Sequence, residues 1–176
     1  MDILGDKVGD LIQALGSKST PTEKRAEAAW DLAELGLTAE AAIPALILAL
    51  KRAPEVVREY AAWALSQIAP ADAALPHLTD ALRDRSIEVR RVAAIGVGSY
   101  GRSASDAVPG LIELLHDVAP MVRLAAAEAL GEIGPAAKDA VPALTEALTD
   151  RSWMVQASAA WALHDIESDI DRPAIS

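Results

Sequence analysis

Apolar residues recur along this chain at helical spacing. In one stretch they fall at Val57, Ala61, Leu65 and Ile68, that is i, i+4, i+8 and i+11, the stripe of a helix that buries one face. Nothing in the chain alternates apolar and polar residues at the two-residue period of a strand. The pattern predicts an all-α protein.

The helical segments repeat. A proline opens an apolar segment four times, in "IPALILAL" (Pro44), "LPHLTDAL" (Pro76), "VPGLIELL" (Pro109) and "VPALTEAL" (Pro142), at spacings of 32, 33 and 33. A second segment follows each, marked by Arg58, Arg90, Arg123 and Gln156 at the same spacings. Arg25, 33 residues before Arg58, marks a further copy whose first helix is "VGDLIQAL". Short helical hairpins of this size cannot each close a core, so they stack on their neighbours into a solenoid. Five pairs are expected, at about 2–36, 37–69, 70–102, 103–135 and 136–168, forming a single array over 1–168, with a short acidic tail at 169–176.

A period near 33 also suits ankyrin and tetratricopeptide repeats, but neither T-P-L-H nor W-x-x-L-G-x-x-Y occurs. Each unit instead reads approximately A-V-P-A-L-x-x-A-L-x-D-x-x-x-x-V-R-x-A-A-A-x-A-L-G-x-I-G, best kept in "AVPGLIELLHDVAPMVRLAAAEALGEIGPAAKDA" at 107–140. This resembles the short bacterial HEAT repeats, the group that includes the phycobilisome-lyase HEAT-like modules. The resemblance covers nearly the whole chain and implies an α-solenoid of about five HEAT-like hairpins, an armadillo-type superhelix. It also implies a ladder of charge-assisted hydrogen bonds between neighbouring units through Asp84, Arg90, Asp117 and Arg123. Arg52 stands where the aspartate of the second unit is expected and Gln156 replaces the last arginine, so the array ends are the expected weak points.

Counted from each marker residue, positions +3, +7 and +10 of the second helix are the core stripe. Positions +2, +5 and +9 fall on the opposite side, which in HEAT-like solenoids faces the concave surface. Trp30, Trp63 and Trp161 all occupy +5, with Ile95 and Glu128 there in the third and fourth units. Around them lie Glu27, Tyr60 and Val92 at +2, Glu59 beside Tyr60, and Glu34, Gln67, Glu132 and Asp165 at +9. A solvated +5 position ordinarily carries Lys, Glu or Gln, whereas Trp and Tyr are enriched at interface hot spots. These thirteen residues are the candidate partner-binding set. Packing of each Trp on the next unit is the alternative. Trp153, in "DRSWMVQ", is expected to cover the core edge near the end of the array.

Composition narrows the partner. Of 176 residues 52% are hydrophobic, enough for a core, and there is no Phe, so the four Trp carry most of the aromatic surface. The formal charge of −10 and the pI near 4.7 disfavour phosphate backbones and anionic lipid surfaces. No Cys is present, which removes disulfides and thiolate chemistry and suits a reducing compartment; the cytoplasm is the default expectation. The longest apolar run, "AAIPALILAL" at 41–50, is about half the ~20 residues that span a bilayer. His77, His116 and His164 lie at non-equivalent positions without metal-ligand spacing, and no catalytic set, cofactor site or metal site is expected. "GVGSYG" at 96–101 falls in the C-terminal half of a second helix rather than in a strand-to-helix phosphate loop. Its glycines mark either a locally weak third unit, in which Gly96→Ala would stabilise, or a close helix–helix approach, in which it would not.

The expected function is a non-catalytic protein-interaction scaffold that grips a protein or peptide through an apolar floor and selects Lys or Arg through an acidic rim. The resemblance to phycobilisome-lyase repeats allows a second reading, a phycobilin lyase or chaperone-like subunit holding a tetrapyrrole, although the groove offers bilin propionates chiefly Arg91. A HEAT-like nucleic-acid-acting protein is opposed by the acidic groove and the lack of a basic stripe.

Overall fold

The computed structural model describes residues 3–168, so the expected acidic tail lies outside the described residues. Ten α-helices form five successive hairpins: α1 (Ile3–Gly16) with α2 (Thr22–Glu34), α3 (Ile43–Arg52) with α4 (Glu55–Ile68), α5 (Ala71–Ala81) with α6 (Ile87–Gly98), α7 (Val108–Leu114) with α8 (Pro120–Ile133), and α9 (Val141–Ala147) with α10 (Trp153–Ser168). No strand occurs among the described residues, and none of their helices is long and apolar enough to cross a membrane.

Three of the four connections between hairpins are alike. Gly36, Gly101 and Gly134 take φ of +58°, +53° and +68°, ending the second helix in the left-handed region that costs a glycine least. A 3-10 turn follows, and Pro44, Pro109 or Pro142 then sits in the first turn of the next helix, where its missing N–H has no partner to lose.

The second helices α2, α4, α6, α8 and α10 pack on one another in series, and the first helices cover their other side. Small residues permit this. Ala61, Ala62, Ala64, Ala93, Ala94, Ala125, Ala126, Ala127 and Ala129 are all buried between second helices or beneath first ones. Larger side chains fill the space between layers, with Leu65, Ile68, Leu130, Ile133 and Ile166 fully enclosed. A buried Leu contributes about 1.5–3 kcal/mol relative to an exposed one, so this seam, which runs through every hairpin, dominates cohesion.

The charge ladder links each hairpin to the next. Arg58 donates from Nε and Nη2 to both carboxylate oxygens of Asp84, at 2.9 and 2.7 Å; Arg90 does the same to Asp117 and Arg123 to Asp150. The remaining Nη1 of each arginine binds a backbone carbonyl of its own hairpin turn, Ala53, Asp84 or Asp117. Each aspartate also accepts the N–H two residues on, from Ser86, Ala119 or Ser152. That local turn is incompatible with continued helix, which is why α5, α7 and α9 stop early. Arg52 has no acceptor to offer, and α3 runs on through it. At the other end Gln156 keeps the backbone half of the motif, donating to the Asp150 carbonyl at 2.6 Å.

Two irregular segments are compensated by packing. The α4–α5 connection lacks both the glycine and the 3-10 turn, and Ala69 is extended there (φ −91°, ψ 141°). The Tyr100 hydroxyl reaches back from the following hairpin and donates toward the carbonyls of Leu65 (3.1 Å) and Ala69 (2.8 Å). Burial raises its pKa to about 12, so it remains a donor. The glycines of α6 are close-approach positions. A methyl at Gly96 would stand 3.0 Å from Ser66 Cβ, and one at Gly98 would stand 2.8 Å from the Ala129 Cα and against the Glu132 carboxylate. Of the two readings of these glycines the contacts favour close helix–helix approach, and Gly96→Ala would stabilise only if Ser66 and the Leu78 side chain, 3.0 and 3.3 Å from the added methyl, yield by a few tenths of an ångström.

Candidate protein-binding face

The second helices expose one continuous side, and each contributes residues at the same register. On α2 and α4 the aromatic residues converge: Trp30 stacks on Trp63 with ring centroids 4.3 Å apart and planes 19° from parallel. Tyr60 stands edge-on to Trp30 at 5.9 Å and 82°. Edge-to-face and offset-stacked geometries are those that ring quadrupoles favour, so the three rings support one another before any ligand arrives. Trp30 remains 45% exposed, while Trp63 and Tyr60 are half-buried. Beside this cluster a cleft of about 300 Å³ is lined by Glu23, Glu27, Asp31, Trp30, Tyr60 and Val56. Glu27 is paired with Lys24 at 2.6 Å on the exposed surface.

A second cleft, of about 290 Å³, lies between α8 and α10 and has the same chemistry. Trp161, 69% exposed, forms its apolar wall, and Glu128, Glu132 and Asp165 supply carboxylates, with Gly131 and Ser158 in the floor. Gly131 lets α10 approach closely, since a methyl there would lie 3.1 Å from Ala162 Cα. Burial, with the Glu128 charge beside it, pushes the Glu132 carboxyl above its usual range. Glu59, half-buried, is raised likewise by burial and by Glu88, with Arg91 opposing. Arg91 is held by Glu88 at 2.8 Å.

The remaining candidates separate. Ile95 is exposed (45%) midway along the face, and Glu34 and Gln67 lie exposed on its border. Val92 is corrected: it is only 9% exposed, on the side of α6 that Gly96 shares and that lies against α4, and it offers a partner little surface. Trp153 is also corrected. It is 74% exposed at the start of α10, too open to cover the core edge.

Sequence reasoning missed Glu23, Asp31 and Val56. The signal was available, because Glu23, Glu27, Trp30 and Asp31 follow i, i+4, i+7 and i+8 on α2, and Val56, Tyr60 and Trp63 follow i, i+4 and i+7 on α4. The face thus extends one turn toward the helix N-termini, to position −2, which in the fourth unit is Met121 (45% exposed).

Paired antiparallel helices stacked in one direction define the chain as an α-solenoid repeat protein. The HEAT-repeat family model matches residues 8–95 and 75–164, and the chain belongs to the HEAT-repeat family. Among solved structures, a crystal structure of an engineered protein from the Northeast Structural Genomics Consortium is 30% identical, with 90% of this chain and 78% of that chain covered and a TM-score of 0.70. The complex of CpcE and CpcF of phycocyanin lyase from Nostoc sp. PCC7120 is similar at 29% identity and a TM-score of 0.77, over 92% of this chain and 65% of the other. A designed armadillo repeat protein in complex with the peptide (KR)4, 22% identical with a TM-score of 0.72 over 90% of this chain and 81% of that one, shares the fold. A comparison with curated proteins gave no match.

Proposed function

We propose that this protein is a non-catalytic interaction scaffold that takes a basic, partly apolar protein segment along the face of its second helices. The observation that carries this reading is the pair of clefts, one at each end of the face, in which an exposed Trp is set among three carboxylates. Such a cleft suits a Lys or Arg side chain: the aliphatic stem covers the indole, the cation lies against its π-face, and the carboxylates receive the N–H donors. Glu34, Glu59, Gln67 and the exposed Ile95 line the path between them. The clefts are three helix-to-helix steps apart, roughly 24–30 Å at 8–10 Å per step. An extended segment of about eight residues, at ~3.3 Å each, bridges that distance.

The test is a fluorescence-anisotropy titration with a ten-residue peptide of alternating Arg and Leu, beside its Glu/Leu counterpart. Binding of the basic peptide alone, weakened by added salt, supports the reading. Equal binding of both, or of neither, refutes it.

The similarity to the phycocyanin-lyase complex supports a second reading, that the same face holds a tetrapyrrole. Its propionates would meet Glu128, Glu132 and Asp165 at one end and Glu23, Glu27 and Asp31 at the other, with Arg91 already engaged by Glu88. A bilin titration followed by visible absorbance discriminates the two: a saturable spectral shift that the basic peptide competes away would favour the lyase-like role.

A further inference from the structure

We infer that the interrupted rung of the charge ladder, between the first and second hairpins, is a binding site for a carboxylate carried on an apolar group. Arg58, Arg90 and Arg123 each grip an aspartate of the next hairpin through two parallel hydrogen bonds. Arg25 holds the equivalent place in the first hairpin, but the residue presented to it by the second is Arg52. Its Nε is turned to the Leu15 carbonyl at 2.9 Å instead. The region left between the hairpins is a cleft of about 290 Å³, lined by Lys18, Arg25 and Arg52 together with Leu15, Leu48 and Ala49.

Three cations and no acidic side chain line it, in a chain whose net charge is −10. The adjoining cleft, which shares Arg52 and adds Lys51, Arg58, Arg83 and Arg85, is different because carboxylates already hold two of its cations, Asp84 taking Arg58 and Glu113 taking Arg83. A guanidinium recognises a carboxylate bidentately, and the other three rungs show the geometry that this fold gives such a pair. The apolar half of the lining, with Leu48 52% exposed, selects an acid whose carboxylate sits on a hydrocarbon stem over a bare inorganic anion. Two sources share that chemistry: a small aliphatic acid, and the C-terminus of a protein ending in a residue such as Leu. None of the residues involved belongs to the second-helix face, so this site and the proposed scaffold role stand or fall separately.

Calorimetric titration with hexanoate against hexanamide, and with acetyl-Ala-Leu-Leu as free acid against its C-terminal amide, tests the site and separates the sources. At least one free acid is expected to bind saturably, at least tenfold more tightly than its amide and more weakly as salt rises. Whichever acid binds identifies the source. Arg52→Asp places the missing carboxylate in the chain itself, so it should abolish acid binding and raise the Tm. Arg52→Gln, which keeps a polar side chain at the end of α3, should weaken acid binding at least fivefold without raising the Tm. The inference is overturned if neither acid binds, if acid and amide bind alike, or if both Arg52 variants retain the wild-type affinity.

Discussion

Truncating Trp161 should separate binding from folding, and truncating Trp63 supplies the contrast. Trp161 is 69% exposed and stacks on no other ring among the described residues, so Trp161→Ala removes little buried surface. Surface replacements ordinarily stay within about 0.5 kcal/mol. Trp63 is half-buried and stacked on Trp30 at 4.3 Å. Losing roughly 100 Å² of buried apolar area costs about 2.5 kcal/mol at 25 cal/mol per Å², and the ring pair adds about 0.5–1.5 kcal/mol. For a chain of this size 1 kcal/mol corresponds to about 2–4 °C, which gives Trp63→Ala a Tm lower by about 6–16 °C and Trp161→Ala a change under about 2 °C. The peptide titration reads the other side. A hot-spot Trp is worth about 2 kcal/mol, roughly 30-fold in Kd, and Trp161→Ala should lose that affinity while keeping its fold. If Trp161→Ala melts as low as Trp63→Ala, the ring is part of the packing. If both variants bind the basic peptide as well as wild type does, the second-helix face is not the binding surface.

Three further outcomes follow from the packing and the charges. Gly98→Ala should destabilise by about 1–2 kcal/mol by thermal melt, because overpacking against the Ala129 backbone exceeds the roughly 0.5–1 kcal/mol gained in helix propensity; an unchanged or raised Tm would show that α6 and α8 can separate freely. Tyr100→Phe should cost about 1–3 kcal/mol by leaving the Leu65 and Ala69 carbonyls without their donor, and a neutral result would mean that water replaces it. In acid the two carboxylate sets act oppositely. Burial pushes Asp84 and Asp117 up, yet the hydrogen bonds from Arg58 and Arg90 and from backbone N–H groups, with the guanidinium charge, hold both below their ordinary value; Asp150 is held down first by its Arg123 hydrogen bond. Their contribution is present above the unfolded Asp pKa of about 3.9 and is lost as pH falls through the lower folded values. Glu59 and Glu132, raised in the fold, penalise it while ionised, so stability should first rise slightly as pH falls toward the unfolded Glu pKa of about 4.3 and then drop below about 3.9 as the ladder aspartates protonate. Glu132→Gln should reduce that initial rise.

The regular part of this protein was legible because one physical rule repeats. Pro44, Pro109 and Pro142 stand in the first turn of a helix as expected, whereas Pro76, expected to open one, lies inside α5, which starts at Ala71. Ala61, Leu65 and Ile68 recur at a spacing that only a helix turns into a face. What the sequence left unread lies between units. Whether Trp63 is surface or packing depends on where Trp30 of the preceding hairpin stands, and the answer is both: one face of the ring is taken by its neighbour. Val92 and Ile95 stand three residues apart on one helix, yet only Ile95 is exposed, because Val92 shares the side of α6 on which Gly96 lies against Ser66 of α4. The spacing of α6 from α8 is set in the same way by Gly98 against Ala129, a contact between residues of two hairpins that periodicity within either helix cannot express.

Departures from the repeat therefore carry the information that the repeat itself does not. Each breaks a contact that its neighbours make, and the structure shows whether anything restores it. At Ala69 the glycine and the 3-10 turn are absent, and the Tyr100 hydroxyl takes over the exposed carbonyls. At Gln156 the side chain loses its charge, but its amide keeps the backbone bond to the Asp150 carbonyl. At Gly98 the missing side chain lets the next helix in. Arg52 differs from these three. It replaces an acceptor by a donor, extends α3, and leaves Arg25 and Lys18 facing a cleft with no carboxylate in its lining. A substitution that merely weakened the ladder would be satisfied by Ala or Asn at that place; a reversal of charge beside an apolar lining makes a cleft complementary to an acid.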